Sequence, residues 1–152
     1  MCPLCKKEYE DIEDRRYHAQ PDCCSSCGPA LSWYEGDLKE TEGSLEKACE
    51  AIKGGKIIAL KGLGGFHLVC DATRDEAVLL LRQRKHRPHK PFAVMFPDID
   101  ILANYVHITE EAIELLRGSI SPIVMLKKKD RTDLSKEVAP GLSDIGSMIP
   151  YT

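Results

Sequence analysis

The sequence contains little that would indicate a membrane protein, a secreted scaffold or a nucleic-acid coat. No apolar run in it approaches the roughly 20 residues of a membrane helix, and no signal segment opens it. Aromatic residues make up only 6%, and a net charge of −3 with a pI near 6.0 argues against general nucleic-acid binding. Seven cysteines without a secretion signal favour metal binding over disulfides. We therefore expect a globular protein of the reducing cytoplasm, with no membrane partner.

Length and composition fit about one globular domain with a small appendage. The chain has 152 residues, of which 43% are hydrophobic and 30% are charged. Residues 1–42 hold five of the seven cysteines and show no sustained apolar period. They cannot bury a sizeable core by themselves, so they need a stabilising crosslink such as a disulfide or a bound metal. Residues 43–152 alternate helix-like and strand-like segments. We expect an α+β domain with a mixed, α/β-type sheet after a small cysteine-rich module.

Apolar periodicity and turn residues predict the elements of the larger part. Apolar residues that recur every three or four positions indicate helices, and short apolar runs between turns indicate strands. Ser44 and Thr109 are the expected helix caps. The run KIIAL at 56–60 is expected to be a buried strand. The predicted helices are 44–53, a segment from 73 or 75 that ends before 88, 98–105 and 109–117, and the predicted strands are 56–60, 66–70, 92–96, 122–126 and 145–149.

Two cysteine pairs form the most specific motif. Cys2-x2-Cys5 is followed, 18 residues later, by Cys24-x2-Cys27. Each pair predicts a knuckle whose turn aims two thiolates at one ion, and two knuckles form the closed four-thiolate site typical of structural zinc. Iron is the alternative ion. Because a closed site has no open position for water, we assign it no catalysis.

Four further residues that can bind metals stand beside or outside that motif. Cys23 could replace Cys24 at a spacing of three, although the spacing of two favours Cys24, and His18 is a possible fourth ligand or a neighbour of the ligands. Cys49 falls on the apolar face of a predicted helix and Cys70 in a predicted strand, so both are expected to be buried small hydrophobes.

Residues 82–90, RQRKHRPHK, concentrate positive charge in a chain of negative net charge. Pro88 forces the predicted helix to end inside this segment, so several cations would project from a helix end towards one place. Without interleaved aromatic residues, such a patch suits a phosphate or a nucleotide better than a long polyanion. The alternative is that these residues form a solvated helix face without a ligand.

The glycine-rich segment KGLGG at 61–65 separates two predicted strands. It lacks the closing Gly-Lys-Ser/Thr of a P-loop and does not meet the nucleotide fingerprint G-x-G-x-x-G. It permits close approach of a ligand, with Lys61 meeting an anion, or it forms only a tight turn between strands. Asp71, after the next strand, could bind a cation or a hydroxyl, or cap the following turn.

Six longer motifs carry a resemblance over nearly the whole chain: EYEDIEDRRYHAQPDCCSSCGP, KGLGGFHLVCDA, RQRKHRPHKPFAVM, SPIVML, VAPG and IGSMIPYT. They resemble the HypF family of carbamoyltransferases, which are maturation proteins of nickel–iron hydrogenases. The resemblance implies that residues 1–42 are the second of two zinc fingers. It implies that residues 43–152 are the first part of a YrdC-like domain with a twisted sheet. We therefore expect a piece of a longer protein, although a naturally short chain is the alternative.

The same resemblance implies an ATP-dependent reaction. The family uses carbamoyl phosphate and ATP with Mg²⁺, forms carbamoyl-adenylate, and passes the carbamoyl group to the C-terminal cysteine of the HypE protein. Its lysine-x-arginine element matches Lys85 and Arg87, which implies that these two are catalytic through the charge that they place on phosphate oxygens. The family's serine–asparagine element is absent, so the chain alone is expected to be inactive. The implied substrate- and nucleotide-binding residues are Lys61, Gly64, Gly65, Asp71, Lys85, Arg87 and Lys90.

Two other hypotheses stay open. The chain could be a zinc-ribbon module whose basic patch binds RNA or a nucleotide without catalysis, although the acidic pI counts against RNA. It could also be a structural segment whose zinc finger positions neighbouring domains. RNA binding with a steep salt dependence supports the former, and tight metal binding without any ligand response supports the latter.

Overall fold

The computed structural model describes residues 1–36, 39–41, 43–62 and 64–151. The chain divides into two compact units, Met1–Lys47 and Ala48–Thr152. The domain boundary expected after residue 42 stays a prediction. Within the described residues, no helix has both the length and the apolar character needed to cross a membrane.

The first unit combines a short helix, a series of turns and a hairpin. Helix α1 (Pro3–Glu10) has proline at its first position, where the missing N–H leaves no hydrogen bond unmade. Strands β1 (Trp33–Glu35) and β2 (Lys39–Thr41) pair antiparallel, and helix α2 (Ser44–Lys53) begins where this unit ends. No helix was predicted at 3–10, because the sequence there has no apolar period.

The second unit contains a hairpin and a separate mixed sheet, as the α+β prediction requires. In the three-stranded sheet, β7 is central, parallel to β5 and antiparallel to β6. The elements are β3 (Ile58–Lys61), β4 (Phe66–Val69), α3 (Asp75–Arg84), β5 (Ala93–Met95), α4 (Ile99–Tyr105), α5 (Glu110–Arg117), β6 (Val124–Lys127), a 3-10 turn (Lys136–Val138) and β7 (Asp144–Met148).

Side-chain caps fix the starts of two helices in this unit. The carboxylate of Asp98 accepts the N–H of Ile101 at 2.7 Å at the start of α4. The hydroxyl of Thr109 accepts the N–H of Ala112 at 3.3 Å at the start of α5, which confirms the predicted cap. Ser44 behaves differently from the prediction, because it is the first helical residue and its hydroxyl donates to the carbonyl of Leu31.

The core of the second unit lies on one side of the mixed sheet. Burial alternates along β5 and β6, as the pleat requires, and the central strand β7 is buried over its three middle residues. The buried core consists of Val78, Val94, Phe96, Ile99, Leu102, Val106, Ala112, Leu116, Leu126, Val138, Ala139 and Ile145.

Two burial predictions for this unit are wrong. The run KIIAL is not a buried strand, because β4 is the only partner of β3 in the described part of the chain and Leu60 is 46% exposed. Cys49 is exposed, although it lies in a helix with an apolar stripe. An apolar run is buried only where another surface covers it, and the pattern along the chain does not show that surface. Cys70 is half-buried, and burial raises the pKa of its thiol.

Two adjacent leucines of α5 test the position of this core. Leu116 is 1% exposed and Leu115 is 54% exposed. Leu116→Ala should lower the free energy of unfolding of the second unit by about 2–5 kcal/mol, because it removes buried apolar surface and leaves a cavity. Leu115→Ala is the matched control and should change it by less than about 1 kcal/mol. Calorimetric unfolding measures both, and equal losses would contradict the assigned orientation of α5.

Candidate metal centre and basic loop

The four cysteines of the sequence motif come together in the first unit. The Cys24 sulfur lies 3.7 Å from the Cys2 sulfur and 3.9 Å from the Cys27 sulfur. The Cys5 sulfur lies 3.7 Å from that of Cys27, and all four are within 4.8 Å of one another. A Zn–S bond of about 2.3 Å sets the edge of a sulfur tetrahedron at about 3.8 Å. The spacing of the sulfurs therefore fits one zinc ion bound by four cysteines.

A helix start and a tight turn bring these sulfurs to one point. Cys2 is the residue before α1 and Cys5 follows three positions later in the first turn of the helix. The carbonyl of Cys24 accepts the N–H groups of Cys27 and Gly28, which closes the turn of the second pair. A Cβ at Gly28 would lie 2.8 Å from that carbonyl oxygen, so a larger residue would disturb the turn. Only the second pair is thus a knuckle, and the first uses a helix start.

The surroundings of the sulfurs set their charge. Hydrogen bonds from the backbone of Ser26 and from Cys2 lower the pKa of the Cys24 thiol to about 6. Backbone hydrogen bonds at Cys24 and Cys2 also lower the pKa of Cys27. Burial raises the pKa of the Cys5 thiol. Because the thiolate is the form that binds metals, an ion at the centre would replace the proton on Cys5.

The two alternative ligands named from the sequence lie outside the cluster. Cys23 is exposed and is not part of the group of four sulfurs. The ring of His18 stacks on that of Tyr9 at 4.8 Å between centroids and packs against Tyr17 at 4.4 Å. Among the residues that the structure describes, His18 therefore fastens the turn after α1 to the helix, and Cys24 is the cysteine of the second pair.

A buried carboxylate borders the cluster, and the sequence reading missed it. Asp22 is 8% exposed, and within the described ranges neither of its side-chain oxygens has a hydrogen-bond partner. One of its oxygens, an oxygen of Glu8 and the Cys5 sulfur lie within 4.8 Å of one another. Glu8 is paired with Arg16. The Arg16 guanidinium also attracts Asp22, but a buried carboxylate without hydrogen bonds remains costly, so we expect Asp22 to destabilise the centre that it borders.

In the second unit, the basic segment is organised around a buried arginine. Arg82 is 5% exposed, and its Nε and Nη2 donate to the carbonyls of Glu137 at 2.7 Å and Val138 at 3.1 Å. Its Nη1 donates to the carbonyls of Arg87 at 2.7 Å and Lys90 at 3.1 Å. Burial lowers the pKa of the guanidinium. Arg82 is therefore not among the several cations expected to project from this segment, because its charge lies inside.

Most hydrogen bonds of Arg87 also go to backbone carbonyls of its own segment. Its Nε donates to the carbonyl of Lys90 at 3.2 Å and its Nη2 to that of Pro91 at 2.7 Å. Its guanidinium lies 5.4 Å from the ring centre of Phe92, and that of Arg82 lies 4.6 Å from the same ring centre. Two of the three guanidinium nitrogens of Arg87 therefore point back to the chain.

The remaining cations of the segment face solvent. We call residues 85–91 the basic loop, since it follows α3 and carries Lys85, Arg87 and Lys90. Arg84, Lys85 and Lys90 are exposed, and Lys85 is the residue that ends the helix. The loop thus combines ordered backbone with exposed positive charge, which is an arrangement that suits phosphate oxygens.

The glycine-rich segment forms the turn between β3 and β4, which confirms the interpretation as a strand-to-strand turn. The N–H of Gly62 donates to the carbonyl of Gly65 at 2.7 Å. A Cβ at Gly62 would lie 2.9 Å from the ring of His67, and Gly65 has a φ of +147°, which favours glycine. A Cβ at Gly64 would meet nothing within 4 Å, so space there is open. Leu63 lies outside the described residues.

The last two predicted ligand residues have local partners. The carboxylate of Asp71 accepts both the N–H and the hydroxyl of Thr73, at 2.9 and 2.7 Å, and the hydroxyl lowers the pKa of that carboxyl. This is the capping role left open by the sequence. The ammonium of Lys61 lies 5.1 Å from the ring centre of Phe66. Between the described parts of the hairpin turn and the basic loop there is no hydrogen bond or ion pair, so the structure leaves these residues in separate groups.

Both parts of the chain match known protein families. Residues 50–152 match the Sua5/YciO/YrdC family, described as telomere recombination, and residues 1–34 match the HypF finger. The carbamoyltransferase HypF of Rhodobacter capsulatus is 49% identical to the chain over its full length, and the chain covers 20% of that relative.

Solved structures agree in fold. Full-length HypF in its phosphate- and nucleotide-bound form is 45% identical and superposes with a TM-score of 0.85 over 99% of this chain and 20% of its own. HypF of T. kodakarensis is 44% identical with a TM-score of 0.87, again over 99% of this chain and 20% of its own. The chain therefore spans about a fifth of the length of the relatives that it matches.

A pair of neighbouring substitutions tests the metal centre. Cys24→Ser removes one of the four grouped thiolates, so zinc content should fall well below one ion per chain and the first unit should lose order. Cys23→Ser is the matched control and should keep its zinc. Elemental analysis measures the metal, and fluorescence of Trp33, the single tryptophan, reports on the first unit. Zinc retained by Cys24→Ser but lost from Cys23→Ser would exchange the two assignments.

Asp22 gives a prediction of opposite sign. Asp22→Val removes a buried carboxylate without hydrogen-bond partners among the described residues, so it should stabilise the zinc-loaded first unit by about 1–3 kcal/mol. Thermal unfolding followed at Trp33 measures this change. Asp14→Val, at a half-buried aspartate whose carboxylate accepts the N–H of Arg16, is the control and should not stabilise. A lower melting temperature for Asp22→Val would contradict the assigned cost.

Proposed function

The chain belongs to the HypF family, as a segment that joins a HypF finger to a Sua5/YciO/YrdC domain, and we propose that it is the ATP-binding part of a carbamoyltransferase. The whole protein would use carbamoyl phosphate and ATP with Mg²⁺, form carbamoyl-adenylate and pass the carbamoyl group to the C-terminal cysteine of HypE. The name of the relatives and the phosphate- and nucleotide-bound form of one of them support this assignment.

The observation that carries the proposal is the basic loop. Its carbonyls are held from inside by Arg82 and Arg87, while Lys85 and Lys90 remain exposed. A loop whose backbone is already ordered loses little conformational freedom when the cations that it carries bind phosphate oxygens. We assign Lys85, Lys90 and the remaining guanidinium nitrogen of Arg87 to the phosphates of ATP. The glycine-rich turn with Lys61, Gly64 and Gly65 is the proposed second wall of the site, and Asp71 shapes the chain after it.

Adenylation explains why cations are needed there. Carbamoyl phosphate must first react with water to give carbamate and inorganic phosphate. A carbamate oxygen then forms a bond to the α-phosphorus of ATP, the bond from that phosphorus to the bridging oxygen breaks, and pyrophosphate leaves with the electron pair. Negative charge grows on phosphate oxygens in the transition state, so a fixed cation stabilises that state more than the ground state. Lys85 and Arg87 would supply this charge. The reaction needs no covalent nucleophile from the chain.

The metal centre has a separate role in this proposal. Cys2, Cys5, Cys24 and Cys27 would hold a structural zinc ion, which crosslinks α1 to the turn at 24–28 and leaves no ligand position open. The first unit then contributes a rigid module rather than a reacting group.

Lys85→Gln tests the nucleotide assignment. Binding of ATP with Mg²⁺ to the zinc-loaded chain is measured by calorimetry, with and without carbamoyl phosphate. The variant should bind ATP at least about tenfold more weakly, because a charge-assisted hydrogen bond to phosphate contributes about 1.5–3 kcal/mol. Lys127→Gln removes an exposed lysine outside the basic loop and is the matched control.

Each outcome of that titration has a distinct meaning. Equal affinity of Lys85→Gln and the unchanged chain would remove Lys85 from the site. No heat from the folded, zinc-loaded chain would contradict the proposal that this segment is the ATP-binding part of the enzyme. Binding of RNA with a steep salt dependence, and not of ATP, would support the non-catalytic zinc-ribbon alternative.

A further inference from the structure

Arg82 is a buried cation that has no role in the proposed reaction. It lies on the buried face of α3 with Val78 and Leu81, and it is 5% exposed. Removal of a guanidinium from water is costly unless its N–H groups find partners. An apolar side chain would fill the same place beside Phe92 without that cost. The presence of the charge therefore needs a reason beyond packing.

The reason lies in the loop that the guanidinium binds. Residues 87–91 read Arg-Pro-His-Lys-Pro, and two of the five are prolines, which have no N–H to donate. A segment with so few donors cannot satisfy its own carbonyls with helical or strand hydrogen bonds. Its carbonyls are instead satisfied by arginine N–H groups. Arg82 binds those of Arg87, Pro88 and Lys90, and Arg87 binds those of Lys90 and Pro91.

The same guanidinium fixes the loop to the rest of the unit. Nε and Nη2 of Arg82 donate to Glu137 and Val138 in the 3-10 turn, some 55 residues further along the chain. One planar group thus joins the end of α3, the loop that follows and a distant turn. Only arginine offers this geometry, because its N–H groups form a planar fork, whereas lysine presents a single point charge.

We infer that Arg82 is a positioning residue for the anion site: it holds the backbone of the basic loop so that Lys85 and Lys90 stand ready for phosphate. This inference rests on the proposed function, namely that the loop binds ATP. Arg82 itself contacts no phosphate. It acts through the carbonyls of Arg87, Pro88 and Lys90, which lie after Lys85 and up to Lys90 in the chain. Its loss would let the loop sample conformations that keep these lysines apart.

Two substitutions at this position test the inference. Arg82→Lys keeps the charge and loses the fork, and Arg82→Met keeps the length of the side chain and removes the desolvation cost, so it can remain folded. Both should bind ATP with Mg²⁺ at least about tenfold more weakly than the unchanged chain, in calorimetric titrations at a temperature where all proteins are folded. Arg84→Lys, at the exposed arginine of the same helix end, should bind ATP as the unchanged chain does.

A destabilised control separates positioning from general loss of structure. Leu116→Ala weakens the core of the same unit far from the basic loop in sequence, and it should keep its ATP affinity while it is folded. If Leu116→Ala loses as much affinity as Arg82→Met, the role of Arg82 is merely structural. If either Arg82 variant binds ATP as well as the unchanged chain, the inference is overturned although the proposed function stands.

A measurement on the unchanged chain covers the case in which neither variant folds. Saturating ATP should slow hydrogen exchange at Nε of Arg82, observed by NMR, because a ligand that binds only the ordered loop makes its opening rarer. Exchange that does not respond to bound ATP would overturn the inference. If the unchanged, folded chain binds no ATP at all, the proposed function fails and this inference fails with it.

Discussion

The four-sulfur cluster is the interaction on which the first unit depends. Among the side chains described for Met1–Lys47, only Cys5 and Asp22 are buried, so this unit has almost no apolar core. Apolar burial cannot offset the conformational entropy of ordering so many turns, and a metal held by four thiolates can. The start of α1 at Cys2 and the turn that ends at Gly28 bring the four sulfurs to one point. The stacked ring of His18 then fastens the turns between them.

The second unit relies on a different balance. Its apolar core is built by three helices on one side of a mixed sheet, and its central strand β7 is almost wholly buried. The residues proposed for function lie outside this core, in the basic loop and at the turn of the exposed hairpin. Such segments lack regular hydrogen bonds, so their order must come from side chains. Arg82 and Arg87 provide that order by binding carbonyls of the loop. Their N–H groups are therefore engaged within the fold, although the sequence alone would assign these cations to a ligand.

Much of the candidate site could be read from residue types and spacing. The two cysteine pairs that begin at Cys2 and Cys24 predicted the sulfur cluster, because two residues between cysteines let both thiolates bind one ion. The two-residue spacing also favoured Cys24 over Cys23, and the coordinates agree, because Cys23 is exposed outside the group of four sulfurs. Asp22 could not be foreseen, because nothing periodic marks its burial. Arg82 left a signal that was overlooked: it follows Val78 by four positions and so shares the buried face of a helix.

The sequence by itself determined the elements of the second unit, the mixed sheet class and the grouping of cysteines, because these follow from local periodicity, capping and ligand spacing. It could not determine which apolar segments are covered, as the exposed run at 58–61 and Cys49 demonstrate. It also could not tell a cation that faces solvent from one that binds carbonyls. Burial and hydrogen-bond partners are decided by elements distant in the chain, such as the 3-10 turn that meets Arg82, and only the tertiary structure brings those elements together.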